Sequence, residues 1–131
     1  MCDRKTALMM LELASDDLTV LEEMSGSSRI SDRAFGFHAQ QAVEKALKAW
    51  LAFAGVDYPK THDLAELLAL LLERGQPIPD AFRRLDYLTD FAVLIRYTIS
   101  ETLVDKIDRP ALVLEVSELV EHVRRHVGES A

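Results

Sequence analysis

Apolar residues recur through most of this chain at alternating spacings of four and three, the period of an α-helix rather than the alternation of a strand. Ala7, Leu11, Ala14, Leu18 and Leu21 predict a first helix over about residues 5–24, which Gly26, Ser27 and Ser28 end. Phe35, Ala39, Ala42, Val43, Ala46, Ala49, Trp50 and Phe53 form one face of a second helix over about 33–54, capped by Ser31 or Asp32 and stopped by Gly55. A third, shorter helix over about 62–74 has Thr61 as its cap and Leu64, Leu67, Leu68 and Leu71 toward a core, with Leu70 and Leu72 widening that face. Pro79 is placed to open a fourth, in which Ala81, Leu85, Leu88, Ala92, Ile95 and Ile99 continue the pattern, so that it can persist to Arg96 and Tyr97 or slightly beyond. Asp108 caps a fifth, with Leu112, Val116, Leu119, Val123 and Val127 as its stripe and Gly128 as its end. The expected fold class is therefore all-α: an up-and-down bundle of five helices, one of them short, in a single domain over residues 1–131.

The second helix has two characters. Opposite its alanine-rich face, His38, Gln41, Lys45 and Lys48 fall in a narrow polar strip. Imidazole, amide and ammonium groups there can bind a phosphate or a nucleotide, since they supply donors and an amide can pair with a base edge. The same strip also reads as a solvated face on which Glu44 pairs with Lys48 one turn on. Asp16, Asp17, Glu22 and Glu23 read as the solvated side of the first helix.

Composition narrows the function classes. With 15 basic against 22 acidic residues the net charge is −7, which disfavours a broad nucleic-acid footprint and leaves room only for a local basic strip. An apolar content of 49% in 131 residues can build a core without disulfides or a structural metal. The single cysteine, Cys2, suits a reducing compartment. The longest unbroken aliphatic run, Leu67 to Leu72, falls far short of the roughly 20 residues a bilayer needs. A cytoplasmic protein with no membrane partner is expected.

Of the remaining chemistry, His122 and His126 stand four apart on the last helix, a chelating spacing. No further ligands complete a set, and with Arg124 and Arg125 they also suit the negative end of a helix dipole, so neither a metal nor a cofactor is expected. There is no glycine-rich phosphate loop and no marked serine nucleophile. His62 reads as a residue beside a cap.

The run His38-Ala39-Gln40-Gln41-Ala42-Val43-Glu44-Lys45-Ala46-Leu47-Lys48-Ala49, then Thr61-His62-Asp63-Leu64, then Arg96-Tyr97, resembles the HEPN domain family, the higher eukaryotes and prokaryotes nucleotide-binding domains. The resemblance covers nearly the whole chain. It implies a helical bundle that forms a homodimer, often encoded beside a minimal nucleotidyltransferase in modules of toxin–antitoxin type. Many members are metal-independent RNases that join an arginine to a histidine, with four to six residues between, across the dimer. Counted from Arg96, the histidine's places hold Glu101, Thr102 and Leu103. Arg33 and His38 have the literal spacing but stand early in the bundle, where the family's motif stands late, and are taken as a decoy.

The expectation is thus a non-catalytic dimeric binding module that engages a nucleotide or a minimal nucleotidyltransferase partner. In it Arg96 and Lys45 meet phosphate, Gln41 and His38 orient the ligand beside Lys48, and Tyr97 stacks or donates a hydrogen bond. Two alternatives stand beside it. One is an RNase toxin with Arg96 as its cation and Glu101, or His38 from a second subunit, as its base. The other is a purely structural dimerisation protein.

Overall fold

The computed structural model describes residues 2–92 and 107–129. The described residues are all helical or loop, with no strand among them. Three long helices, α1 (Arg4–Met24), α2 (Asp32–Phe53) and α6 (Arg109–Glu129), carry the bundle. Between them lie α3 (Leu64–Glu73), a single turn α4 (Asp80–Arg83), a 3₁₀ segment (Arg84–Leu88) and α5 (Thr89–Ala92).

The helix ends follow local chemistry. Asp3 caps α1, its carboxylate accepting from Thr6 N–H, and its own N–H donates to Ala52 O at 2.9 Å, which seats the start of α1 on the end of α2. Ser31 caps α2. The start of α3 differs from expectation: Asp63, not Thr61, is the cap and accepts from Ala65 N–H, while the Thr61 hydroxyl accepts from Asp63 N–H. Gly55 and Gly75 follow α2 and α3 at φ 77° and 69°. Each is the left-handed residue of a Schellman turn, with Val56 N–H on Leu51 O and Gln76 N–H on Leu71 O.

The expected apolar stripes form the core. Ala7, Leu11, Ala14 and Leu21 of α1, Phe35 to Trp50 of the α2 face and all five named residues of α6 are buried, with Leu18 and Phe53 partly so. In α3 Leu64, Leu67, Leu68 and Leu71 are buried, while Leu72, expected to widen that face, is exposed. α2 is the central element, touching α1, α3, α5, α6 and the 3₁₀ segment.

The fourth helix departs most from its prediction. In place of one α-helix running on from Pro79, an α turn (α4) and a 3₁₀ segment come before α5. The reason is a second periodicity: Phe82, Leu85, Leu88 and Phe91 are spaced by three and all are buried. A helix of three residues per turn brings all four to one side, and burying two phenylalanines outweighs burying Ala81 and Ala92. Phe91 lies directly over α2, where a Cβ on Gly36 would stand 2.5 Å from its ring. Arg96, Tyr97 and Glu101 lie outside the described residues.

One cation ties the helix ends together. Arg109 donates through Nε to Asp32 Oδ1 at 3.0 Å and through NH1 to the carbonyls of Met24 and Ser27, while NH2 reaches Ile30 O. Asp32 also accepts from Ile107 N–H at 3.2 Å, and the guanidinium lies 5.1 Å from the Phe35 ring centroid. The fork geometry of arginine satisfies a whole α1–α2 loop that would otherwise leave carbonyls unpaired.

Candidate functional site

The polar strip of α2 is half-buried rather than solvated, and it divides into three neighbourhoods. Toward the C-terminal half, Glu44 is buried and its carboxylate is the centre of a network. Lys48 Nζ reaches Oε2 at 2.9 Å, Gln40 Nε2 reaches Oε1 at 3.0 Å, and His62 Nδ1 reaches the same Oε1 at 2.8 Å. Gln40, fully buried, also donates to His62 O at 3.0 Å and accepts from Gln41 Nε2 at 2.7 Å. Burial by itself raises the Glu44 pKa, but the donors Gln40, His62 and Lys48 outweigh it and hold the carboxyl below its ordinary value. A carboxylate only accepts, so the hydrogen of the neutral imidazole is on Nδ1.

In the middle of the strip, Lys45 Nζ lies 2.6 Å from Asp17 Oδ2. Asp17 thus belongs to an interhelical pair, not to the solvated side of α1. His38 Nδ1 approaches the other oxygen of Asp17 only to 3.6 Å and, though buried at that atom, has no hydrogen-bond partner among the described residues.

At the N-terminal end the strip opens on a cleft of about 510 Å³ lined by Ser31, Arg33, Ala34, Phe37, His38, Phe91 and Ala92. Its walls are mainly apolar, and Arg33 and His38 are the two residues of its lining that can carry positive charge. Two of the four strip residues, Lys45 and Lys48, therefore spend their charge on acidic neighbours, Gln41 supports Gln40, and His38 lines this cleft.

His122 and His126 are held by aromatic surfaces. The His122 ring centroid is 5.2 Å from those of Trp50 and Phe82, and His126 is 5.8 Å from Trp50 and 5.5 Å from Phe53. Among the described residues no group of three or more His, Cys, Asp or Glu side chains could hold a metal ion, and no helix is long and apolar enough to cross a membrane.

The HEPN domain model matches residues 7–127. The chain belongs to the HEPN domain family. No curated protein and no solved structure matches it. Within this HEPN chain, the residues that carry the resemblance have a shared structural basis: Gln40, Glu44, Lys48 and His62 are one hydrogen-bonded unit that pins the loop before α3 onto α2. The backbone N–H of Leu64 completes it by donating to Thr89 Oγ1 at 3.0 Å. The pattern along α2 pairs Glu44 with Lys48 but does not mark Gln40 and Glu44 as the centre of a network, because His62 comes from a loop 18 residues on from Glu44, nor does it mark Asp17, whose partner Lys45 is on another helix. The signal that could have found Gln40 and Glu44 is their place beside the alanine face, where burial forces a polar side chain to find a partner.

Proposed function

We propose that this HEPN domain is a non-catalytic binding module, acting as a homodimer, that takes a nucleotide in the cleft at the start of α2. The supporting observation is the cleft itself, where Arg33 and His38 stand beside Phe37 and Phe91. The guanidinium meets phosphate, His38 donates to the sugar or phosphate oxygens, and the aromatic rings take the base. Membership of the family supports a nucleotide- or RNA-related role. A minimal nucleotidyltransferase is the proposed protein partner, and Arg96 and Tyr97 are proposed to add phosphate and stacking contacts. Lys45, Lys48 and Gln41 hold the helix instead of the ligand, because their partners are already in place.

The test is NMR titration with the four ribonucleoside monophosphates. Binding should move the Phe37 and His38 resonances, and Arg33→Ala should weaken it about tenfold, the worth of one charge-assisted contact. Shifts confined to the Lys45–Lys48 half of α2, or none with any nucleotide, would remove this reading.

A second reading, a metal-independent RNase, is favoured by one observation: Arg33 and His38 line the same cleft, with the Asp17 carboxylate beside Nδ1. In that reading His38 takes the 2′-hydroxyl proton and Arg33 stabilises the phosphate charge. Cleavage of total RNA by the wild type and its loss in His38→Ala decide between the two.

A further inference from the structure

We propose that His62 is a nucleophilic histidine, armed by Glu44, that accepts a phosphoryl group on Nε2. The site lies apart from the cleft and stands independently of the nucleotide reading.

The geometry is that of a carboxylate–imidazole pair with one end buried and the other open. Glu44 is 6% exposed in its side chain, whereas His62 is 64% exposed, and 2.8 Å separates Oε1 from Nδ1. Because the carboxylate fixes the hydrogen on Nδ1, the lone pair of the neutral ring is on Nε2, which the exposure of the ring leaves to solvent. A free imidazole divides its hydrogen between the two nitrogens; here one form is selected. The carboxylate is itself held in place, by Gln40 on Oε1 and Lys48 on Oε2, so it cannot swing away as charge develops on the ring. His38 differs, its Nδ1 standing 3.6 Å from the nearer oxygen of Asp17.

The choice of a phosphoryl group follows from the surroundings. His62 stands one residue before the cap of α3, at the positive end of its dipole, and the cap carboxylate of Asp63 is already committed to Ala65 N–H. Lys48, on the far oxygen of Glu44, cancels the charge of that carboxylate, so an incoming dianion does not face an uncompensated anion. In the reaction the Nε2 lone pair forms a P–N bond as the bond from phosphorus to its leaving group breaks. The leaving group departs with that electron pair, and the positive charge left on the ring is stabilised across the Nδ1–H bond to Glu44. With zwitterionic phosphoramidate as donor, the products are ammonia and an Nε2-phosphoimidazolium, so atoms and charge balance.

The test treats the full chain with potassium phosphoramidate at neutral pH and follows its four histidines together by mass spectrometry and ³¹P NMR. His62 should be modified at least several-fold faster than His38, His122 or His126, as the Nε2 isomer, and Glu44→Gln should remove most of that advantage while the other three rates stay put. Equal rates at all four positions, the Nδ1 isomer at His62, or an unchanged rate in a folded Glu44→Gln variant would overturn the proposal. Should that variant fail to fold, ¹⁵N spectra of the wild-type ring decide. A hydrogen on Nδ1 and a free Nε2 support the assignment, and the opposite tautomer refutes it.

Discussion

The two halves of α2 use the same residue types to opposite ends. Around Glu44, a lysine, a histidine and two glutamines are hydrogen-bonded into the fold. Around Phe37, an arginine and a histidine line an open cleft. Composition cannot separate the halves; what separates them is whether a neighbouring element brings an acceptor. The loop before α3 and α1 bring polar partners to one half, whereas the other half faces Phe91 and Ala92. A lysine in a helical motif is thus evidence of binding only after its acidic neighbours have been counted.

The comparison breaks most sharply at Glu44. Glu44→Ala leaves Lys48 and Gln40 without their acceptor in a half-buried setting and should cost about 3 kcal/mol in urea unfolding, the usual range for losing one partner of a buried pair. The same carboxyl gives a pH signature. Its folded pKa lies below the ordinary 4.5, so its contribution is complete above that value and is lost as pH falls through the folded pKa. The gap in stability between wild type and Glu44→Gln should therefore close on acidification below 4.5, and a gap that widened there would contradict the network.

Gly36→Ala comes next. The new methyl meets the Phe91 ring, and overpacking of about 1–3 kcal/mol is offset by up to about 1 kcal/mol of helix propensity, leaving a net loss of about 1 kcal/mol visible in thermal melts. Lys45→Met, which removes a partly exposed pair with Asp17, should cost no more than about 1 kcal/mol in double-mutant cycles with Asp17→Asn. Arg33→Ala should change stability by less than about 0.5 kcal/mol, because the residue is exposed and has no hydrogen-bond or ion-pair partner among the described residues. If Arg33→Ala destabilised the fold as much as Glu44→Ala, the division of the helix into a structural and an open half would fail.

The long helices could be read from sequence because each has one dominant period. Leu112, Val116, Leu119, Val123 and Val127 admit no competing face, and the same holds for Ala7 through Leu21. The stretch from Ala81 to Ala92 admits two, and four-three spacing conceals the three-residue repeat of Phe82, Leu85, Leu88 and Phe91. For the site, the Glu44–Lys48 pair was legible because both residues share a helix and stand one turn apart. The Asp17–Lys45 pair was not, since its partners are 28 residues apart and meet only when α1 and α2 pack. The cleft was hidden for a related reason. Arg33 and His38 are near in sequence, but the wall that makes a cavity beside them is Phe91, which a continuous fourth helix does not predict.

The missing side chain at position 36 sets the size of that cavity from behind. Phe91 rests on bare backbone at Gly36 and forms a wall of the cleft with its own surface. Any atom added beneath the ring must displace it, so cleft volume can be graded by Ala, Ser or Val at a position that touches none of the polar groups. The glycine works as a seat whose height fixes how far one wall stands from Phe37 and His38, and a graded series there would alter which ligands fit while leaving the charges that attract them unchanged.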